Sequence, residues 1–160
     1  MQIEKVLTEK EINEIEKIIE RNYGLSNTLK NFIVFMTSED KIWITAKEVF
    51  NFNKEKLRVN SIGLYIGKLK RNNKINLSLE GIHLFANKPN RNVVVVNEEK
   101  MKKFMQGSDV VPDEKINCET DNFVLVKYLN DFIGIGIWRE DKVENLVPKS
   151  RRIYQSPIQI

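Results

Sequence analysis

The sequence predicts an α+β protein in two parts: a mixed α/β N-terminal domain, residues 1–90, and a small, mostly β C-terminal domain, residues 91–160. Three observations lead to this prediction. A well-capped amphipathic pattern stands near the start of the chain, short apolar alternations dominate its last third, and the turn-forming cluster "NKPNRN" separates them at residues 87–92. Such a cluster between apolar segments is where a domain boundary is expected.

The first element is a helix predicted over "LTEKEINEIEKIIERNYG". Thr8, followed three residues later by Glu11, matches a capping box, and Gly24 stands where a C-terminal cap is expected. Isoleucines recur at helical spacing and form one apolar stripe: Ile12, Ile15, Ile18 and Ile19. The acidic character of this helix does not favour a contact with nucleic acid.

The rest of the N-terminal half predicts strands with two short helices. "NFIVFMTSEDKIWIT" indicates two strands joined by a turn at 38–41, and a short helix is expected from about 46 to 51. "LRVNSIGLYIGKLKR" indicates a strand or buried segment interrupted by Gly63 and Gly67. After the turn "NNK", "INLSLEGIHLFA" begins as a strand, and Ser78 is a candidate cap for a second short helix.

In the C-terminal half, "VVVV" predicts a strand and "EEKMKKFMQG" a helix that Gly107 ends. Three further strands are expected at "FVLVKYL", "FIGIGIW" and "KVENLVP". The pair Gly134 and Gly136 does not complete a GxGxxG dinucleotide motif. We therefore interpret both glycines as positions of close backbone approach within a curved strand.

The segments "VVVVNEEKMKKFMQGSDVV", "NFVLVKYLNDFIGIGIW" and "NLVPKSRRI" together resemble a PUA domain, a compact β-barrel RNA-binding module. "LTEKEINEI", "SIGLYIGKLKRNNKINLSLEGIHLFA" and "VPKSRR" resemble the Nip-type ribosome-biogenesis proteins, in which a pre-PUA domain precedes a PUA domain. The tail is also similar to that of Sun-family RNA cytosine methyltransferases. These resemblances imply a β-barrel C-terminal domain and a role in large-subunit ribosomal RNA processing.

The resemblance places RNA at the helix-to-strand turn and at the terminal basic cluster. The residues it suggests are Gly107, Ser108, Lys103, Lys149, Ser150, Arg151 and Arg152. From the residues themselves, Gly107 can equally be a helix cap and Lys103 a solvated side chain. Arginine suits phosphate because its planar fork binds two oxygens at once.

The basic residues concentrate in the middle of the chain, where residues 22–91 carry a net charge of +7 within a total of +4. Lys68, Lys70 and Arg71 surround the predicted "NNK" turn and are further candidates for RNA contacts. Ordinary surface charge is the alternative explanation. Trp43, Tyr65 and Trp138 fall within apolar alternations, which favours core positions over base stacking.

Composition excludes several function classes. The single cysteine, Cys118, and the single histidine, His83, cannot form a disulfide or a zinc site on their own. No phosphate-binding loop, cofactor motif or carboxylate pair is present, so we expect no catalytic residues, no metal and no cofactor. With no apolar span and a charged N-terminus, we expect a cytoplasmic monomer without membrane contact. The Lys-, Ile- and Asn-rich composition suggests a microbial, archaeal-like source.

The sequence therefore predicts a non-catalytic RNA-binding protein whose partners are ribosomal RNA or its precursor and other ribosome-assembly proteins. Two alternatives stay open. One is an accessory or degenerate relative of an RNA cytosine methyltransferase, and the other is a protein-interaction scaffold whose basic character is incidental.

Overall fold

The computed structural model describes residues 3–26, 29–48, 63–85 and 87–153. The chain divides into two compact units, Met1–Pro89 (unit 1) and Asn90–Ile160 (unit 2). Among the residues so described, no helix combines the length and apolar character needed to cross a membrane.

Unit 1 is built on a five-stranded sheet in which every neighbouring pair is antiparallel. Its elements in chain order are β1 (Lys5–Val6), α1 (Glu9–Tyr23), β2 (Ile33–Thr37), β3 (Lys41–Thr45), β4 (Leu64–Lys70), β5 (Lys74–Leu77) and α2 (Leu79–Ile82). The strand order β1-β2-β3-β4-β5 follows the sequence, so each strand pairs with its neighbours along the chain.

Helix α1 forms as predicted. The Thr8 side chain accepts a hydrogen bond from the Glu11 backbone N–H, and the Glu11 side chain bonds back to the Thr8 N–H, which completes the capping box. Gly24 ends the helix in the left-handed conformation, with φ of 72°. The buried Tyr23 hydroxyl donates to the Ile75 carbonyl at 2.7 Å, which ties the last turn of α1 to β5.

Strand β4 corrects one prediction, because it continues through Gly67 as one strand, although its pairing with β3 shifts register beside this glycine. A β-carbon there would lie 2.6 Å from the Asn76 carbonyl oxygen, so glycine permits close strand approach rather than breaking the strand. The predicted helix at 46–51 and the start of "LRVNSIGLYIGKLKR" lie largely outside the described residues. The cap at Ser78 is confirmed, since its side chain accepts from the Gly81 N–H at 2.9 Å.

Unit 2 contains a second five-stranded sheet, in the order β10-β9-β8-β6-β7. Its elements are β6 (Val93–Val95), α3 (Glu98–Met105), β7 (Glu114–Ile116), β8 (Phe123–Tyr128), β9 (Asp131–Trp138), β10 (Val143–Asn145) and a 3-10 turn at Lys149–Arg151. The β6–β8 pair is parallel and the other pairs are antiparallel. With two mixed α and β units, the predicted α+β class is confirmed.

The core of unit 2 lies between α3 and its sheet. Its buried residues are Val94, Val96, Phe104, Val110, Val124, Val126, Trp138, Val143 and Val147. Gly134 and Gly136 have the packing role expected of them. A β-carbon at Gly134 would lie 2.7 Å from the Phe104 ring, and one at Gly136 would overlap the Val143 side chain. Both sites are therefore closed to side chains, which lets α3 and β10 approach β9.

Two strands were not predicted from the sequence. β1 has only two residues, and β7 consists of three exposed residues, "EKI", with no buried member. Strand β10 is also shorter than the predicted "KVENLVP", because the regular pairing with β9 ends at Asn145. Beyond it, Val147 is buried and the chain enters the 3-10 turn.

Candidate nucleic-acid interface

The C-terminal end of α3 is a tight reversal centred on Gly107. The Gly107 N–H donates to the Phe104 carbonyl and the Ser108 N–H to the Lys103 carbonyl, both at 3.0 Å. This pair of bonds is the Schellman pattern, in which a glycine with positive φ follows the helix cap. Gly107 has φ of 104°, a conformation that side chains disfavour. The sequence prediction that Gly107 ends this helix is confirmed.

Asn145, the last residue of β10, joins this strand to the reversal through its side chain. Its Nδ2 donates to the Phe104 carbonyl at 2.7 Å and to the Ser108 carbonyl at 2.8 Å. Its Oδ1 accepts from the Val147 N–H at 2.7 Å. One amide side chain therefore satisfies two carbonyls at the helix end and one N–H of the segment that leads to the terminal cations.

Asp109 adds an electrostatic link next to the same turn. Its carboxylate accepts from the Asn145 backbone N–H at 2.9 Å and pairs with Lys142 at 3.2 Å. These two interactions, the hydrogen bond foremost, hold the pKa of Asp109 below its ordinary value of 3.8. The acid is therefore engaged by Lys142 and Asn145, which moderates its repulsion of a phosphate approaching the turn.

The terminal cations follow a segment that is fixed to α3. The Ile153 N–H donates to the Met105 carbonyl at 2.8 Å, and the Arg152 Nε–H donates to the Val147 carbonyl at 3.2 Å. Arg152 is half-buried and its guanidinium lies over Gly107. In contrast, Lys149 and Arg151 are exposed on the 3-10 turn.

The structure thus brings together most of the residues predicted in unit 2. Gly107, Ser108 and Arg152 meet at one turn, and Lys149, Ser150 and Arg151 lie on the adjoining 3-10 turn. Lys103 is exposed one turn earlier on α3, where it pairs with Glu99 at 3.3 Å. A pair this exposed is weak, so Lys103 can exchange Glu99 for a phosphate at little cost.

Asn145 and the pair formed by Asp109 and Lys142 were not predicted from the sequence. Asn145 stands in a strand pattern, and nothing in its spacing indicates that its side chain reaches back to a helix 41 residues earlier. Its one available signal is an asparagine at an interior position of a predicted strand, where that residue type is uncommon.

The second basic set lies in unit 1. Lys68 and Lys70 stand at the end of β4, and Arg71 begins the turn to β5. Lys68 is near Glu39, with 3.6 Å between the ammonium and the carboxylate, whereas Lys70 and Arg71 are exposed. The three cations therefore form a group of their own within unit 1.

Nothing in the described part of the chain provides three or more His, Cys, Asp or Glu side chains grouped to hold a metal ion. His83 is exposed. Burial raises the pKa of the Cys118 thiol, which disfavours the reactive thiolate. Trp138 is buried, and Trp43 and Tyr65 are half-buried, in agreement with the packing roles predicted for them.

Comparison with protein families assigns both units. Residues 5–79 match the NIP7/UPF0113 pre-PUA domain, and residues 91–153 match the Methyltransferase RsmF PUA domain. The chain combines a NIP7-type pre-PUA domain with an RsmF-type PUA domain. Both domain types indicate RNA binding, and the resemblance stated from the sequence is confirmed.

The fold of this chain has a counterpart among solved structures. A conserved PUA domain protein from Thermoplasma acidophilum superposes with a TM-score of 0.61 at 16% sequence identity, over 92% of this chain and 96% of that one. At this identity the similarity establishes the fold. It supports the assignment of unit 2 as a PUA domain, although the pairing among its described strands leaves the sheet open rather than closed into a barrel.

One curated relative matches in sequence. The chain is 25% identical over 143 residues to Ribosomal RNA small subunit methyltransferase F from Aeromonas salmonicida. The match covers 89% of this chain but 28% of that enzyme. This chain is therefore similar to a part of the methyltransferase and spans well under half of its length.

Proposed function

We propose that this protein is a non-catalytic RNA-binding protein that acts in ribosomal RNA processing and large-subunit biogenesis. In this proposal the PUA domain contacts RNA phosphates through Lys149 and Arg151, with the backbone at Gly107 and Ser108 positioning the strand. The protein works in the cytoplasm as a monomer, needs no cofactor and cooperates with other ribosome-assembly proteins.

The observation that carries the proposal is the attachment of the terminal basic segment to α3. Ile153 bonds through its N–H to the Met105 carbonyl, and Arg152 packs against Gly107. These two contacts restrain the chain directly after Lys149 and Arg151. Cations on a restrained turn lose less conformational freedom on binding than cations on a mobile tail. The segment is thus suited to hold a polyanion beside an exposed helix end.

The structure changes which cations should be tested. Arg152 packs over Gly107 and bonds to the Val147 carbonyl, so its removal would disturb the fold as well as the charge. The informative variant is Lys149→Ala/Arg151→Ala. A matched control is Lys10→Ala/Lys17→Ala, which removes two exposed cations from the acidic helix α1.

The experiment measures affinity for ribosomal RNA fragments against salt concentration. Each lost phosphate contact should lower the slope of log affinity against log salt by about one. We expect a decrease of about two for Lys149→Ala/Arg151→Ala and no change for the α1 control. An unchanged slope for the first variant would remove the terminal cluster from the RNA interface.

The match to a part of a small-subunit ribosomal RNA methyltransferase favours one second candidate. The protein would then be an accessory or degenerate relative of that enzyme class and would take part in RNA modification. Two measurements separate the candidates. Tighter binding to small-subunit than to large-subunit RNA fragments favours the second, and failure of the purified chain to bind the methyl donor excludes a self-contained enzyme.

A further inference from the structure

Unit 1 has an open concavity of about 550 Å³ where the β2–β3 turn approaches the β4–β5 turn. Its volume falls in the range of small-molecule sites, about 300–1,000 Å³, and is adequate for one nucleotide. The residues that line it are Glu39, Asp40, Lys68, Leu69, Lys70 and Arg71. It therefore combines three cations with two carboxylates in a single depression.

The sheet beside this concavity places like charges opposite each other. Lys41 pairs with Lys68 across β3 and β4, and Lys70 pairs with Lys74 across β4 and β5. Like charges directly opposite on neighbouring strands destabilise a sheet. Unit 1 nevertheless carries four lysines on these neighbouring strands, which concentrates positive charge and favours a polyanionic ligand.

Glu39 is the exception in this basic surface. Its carboxylate lies 3.8 Å from the Lys41 ammonium and 3.6 Å from that of Lys68. Charge-assisted hydrogen bonds are shorter, about 2.7–2.9 Å. The Glu39 side chain is 65% exposed, so its oxygens remain able to accept hydrogen bonds from a ligand.

The backbone does not explain the choice of glutamate at this position. Glu39 and Asp40 both have left-handed φ angles, of 62° and 59°, in the turn between β2 and β3. Glycine and asparagine are the residues that such turns favour. A carboxylate here offsets the repulsion between Lys41 and Lys68, and it weakens the attraction for phosphate, so it does not serve contact with the RNA backbone.

We propose that this concavity binds a nucleotide of single-stranded RNA and selects bases that carry an exocyclic amino group. Lys68, Lys70 and Arg71 contact phosphates, and Glu39 accepts a hydrogen bond from the base amine. Carboxylates pair with the N4 amine of cytosine, whereas uracil presents an oxygen acceptor at the same position. The site therefore prefers cytosine to uracil. This inference rests on the proposed RNA-binding function and adds base selection to it.

The test compares binding of the full chain to oligocytidylate and oligouridylate, each of about 12 nucleotides, by fluorescence anisotropy. We expect the wild-type protein to bind oligocytidylate at least about fivefold more tightly. Glu39→Gln should bring the ratio close to one, because an amide can pair with either base. Lys70→Met/Arg71→Met should weaken binding of both oligonucleotides, because it removes phosphate contacts.

The matched control is Glu140→Gln in unit 2, which changes an exposed glutamate that also has a left-handed φ, of 78°. It should leave the cytidylate-to-uridylate ratio at the wild-type value. Circular dichroism melting of both variants confirms that the folded state is retained.

Three outcomes would overturn the inference. They are an absence of cytidylate preference in the wild type, an equal gain of affinity for both oligonucleotides in Glu39→Gln, and a ratio in Glu39→Gln that matches the wild type. Failure of the wild type to bind either oligonucleotide would also reject the proposed RNA-binding function. The wild type could keep its cytidylate preference while Lys149→Ala/Arg151→Ala leaves the salt slope unchanged. That result would exclude only the terminal cluster from the RNA interface.

Discussion

The Nε of Arg152 lies 2.6 Å from the point where a β-carbon on Gly107 would stand. The absence of a side chain at Gly107 thus serves two purposes. It allows the positive φ that ends α3, and it leaves room for the arginine that follows the 3-10 turn. The helix-end glycine therefore packs directly against the terminal basic segment, although 45 residues separate Gly107 from Arg152 in sequence.

Replacement of Gly107 by alanine should destabilise unit 2 by about 1–3 kcal/mol, the usual cost of a strained backbone conformation. The conformation at φ of 104° is the main cause, because the flexible Arg152 side chain can move away from a methyl group. Urea unfolding followed by Trp138 fluorescence measures the loss. Arg152→Ala should cost less in the Gly107→Ala background than in the wild type, since the contact is already disturbed.

Gly24→Ala provides the matched control, because Gly24 is also a helix-end glycine but has φ of 72°, nearer the left-handed helical region. It should cost about 1 kcal/mol and leave the salt slope for RNA unchanged. A Gly107→Ala variant as stable as the wild type would contradict the argument that this position requires glycine.

Asn145→Ala should destabilise unit 2 by roughly 2–4 kcal/mol. Three hydrogen bonds are lost, and the Ser108 carbonyl loses this donor, whereas the Phe104 carbonyl keeps its bond from the Gly107 N–H. Asn145→Asp is the informative partner variant, since it keeps the acceptor for the Val147 N–H but sets a carboxylate against the carbonyls of Phe104 and Ser108. Urea unfolding should therefore rank aspartate with or below alanine, and a stable Asn145→Asp protein would refute the proposed donor role.

Asp109 should make unit 2 sensitive to acid. Its pKa is lower in the folded state than its ordinary value of 3.8, so its contribution to stability is present above that value. The contribution is lost as the pH falls through the lowered folded value. We expect Asp109→Asn to be less stable at neutral pH and to lose less stability than the wild type between pH 5 and pH 2, measured as the melting temperature at each pH.

Lys142→Ala distinguishes the two causes of the lowered pKa. The backbone N–H of Asn145 is the larger cause and remains in this variant, so most of the acid sensitivity should persist. The melting temperatures of Lys142→Ala could instead follow those of Asp109→Asn at every acidic pH. That result would show that the ion pair with Lys142 is the dominant interaction of Asp109.

The elements that sequence analysis predicted are those with local causes. The ends of α1 depend on Thr8, Glu11 and Gly24, all within a few residues of the helix. The β8–β9 hairpin follows from two apolar segments on either side of a short turn. The pairing of β6 with β8 and the exposed strand β7 depend on tertiary neighbours, so neither leaves a periodic pattern to detect.

The candidate interface also contains features that the sequence predicts and features that depend on tertiary contacts. Composition and spacing show the clusters at Lys149–Arg151 and around Lys68, because charge is visible in sequence. The packing of Arg152 over Gly107 and the reach of Asn145 to α3 are not visible, since each joins positions about 40 residues apart. Sequence thus identifies which cations are available but not which of them the fold already uses.

Tyr23→Phe should destabilise unit 1 by about 1–2 kcal/mol. The hydroxyl is buried and donates to the Ile75 carbonyl at 2.7 Å, so its removal leaves that carbonyl without this donor. Hydrogen exchange should show faster opening of β5 and the last turn of α1, with β8 and β9 unaffected. Tyr65→Phe, at a half-buried tyrosine, is the control and should change stability by less than about 0.5 kcal/mol.

Leu129 lies in the two-residue turn between β8 and β9 with φ of 53°, while the other non-glycine residues of positive φ in the described chain are Asn, Asp or Glu. Its side chain is 70% exposed, so packing does not offset the backbone strain. Leu129→Asn should therefore stabilise unit 2 by up to about 1 kcal/mol, because asparagine tolerates this conformation. Val111→Asn, which replaces a 60% exposed apolar side chain outside this set, should change the free energy of unfolding little. Equal effects of the two substitutions in urea unfolding would show that loss of exposed apolar surface, and not relief of strain, determines the result.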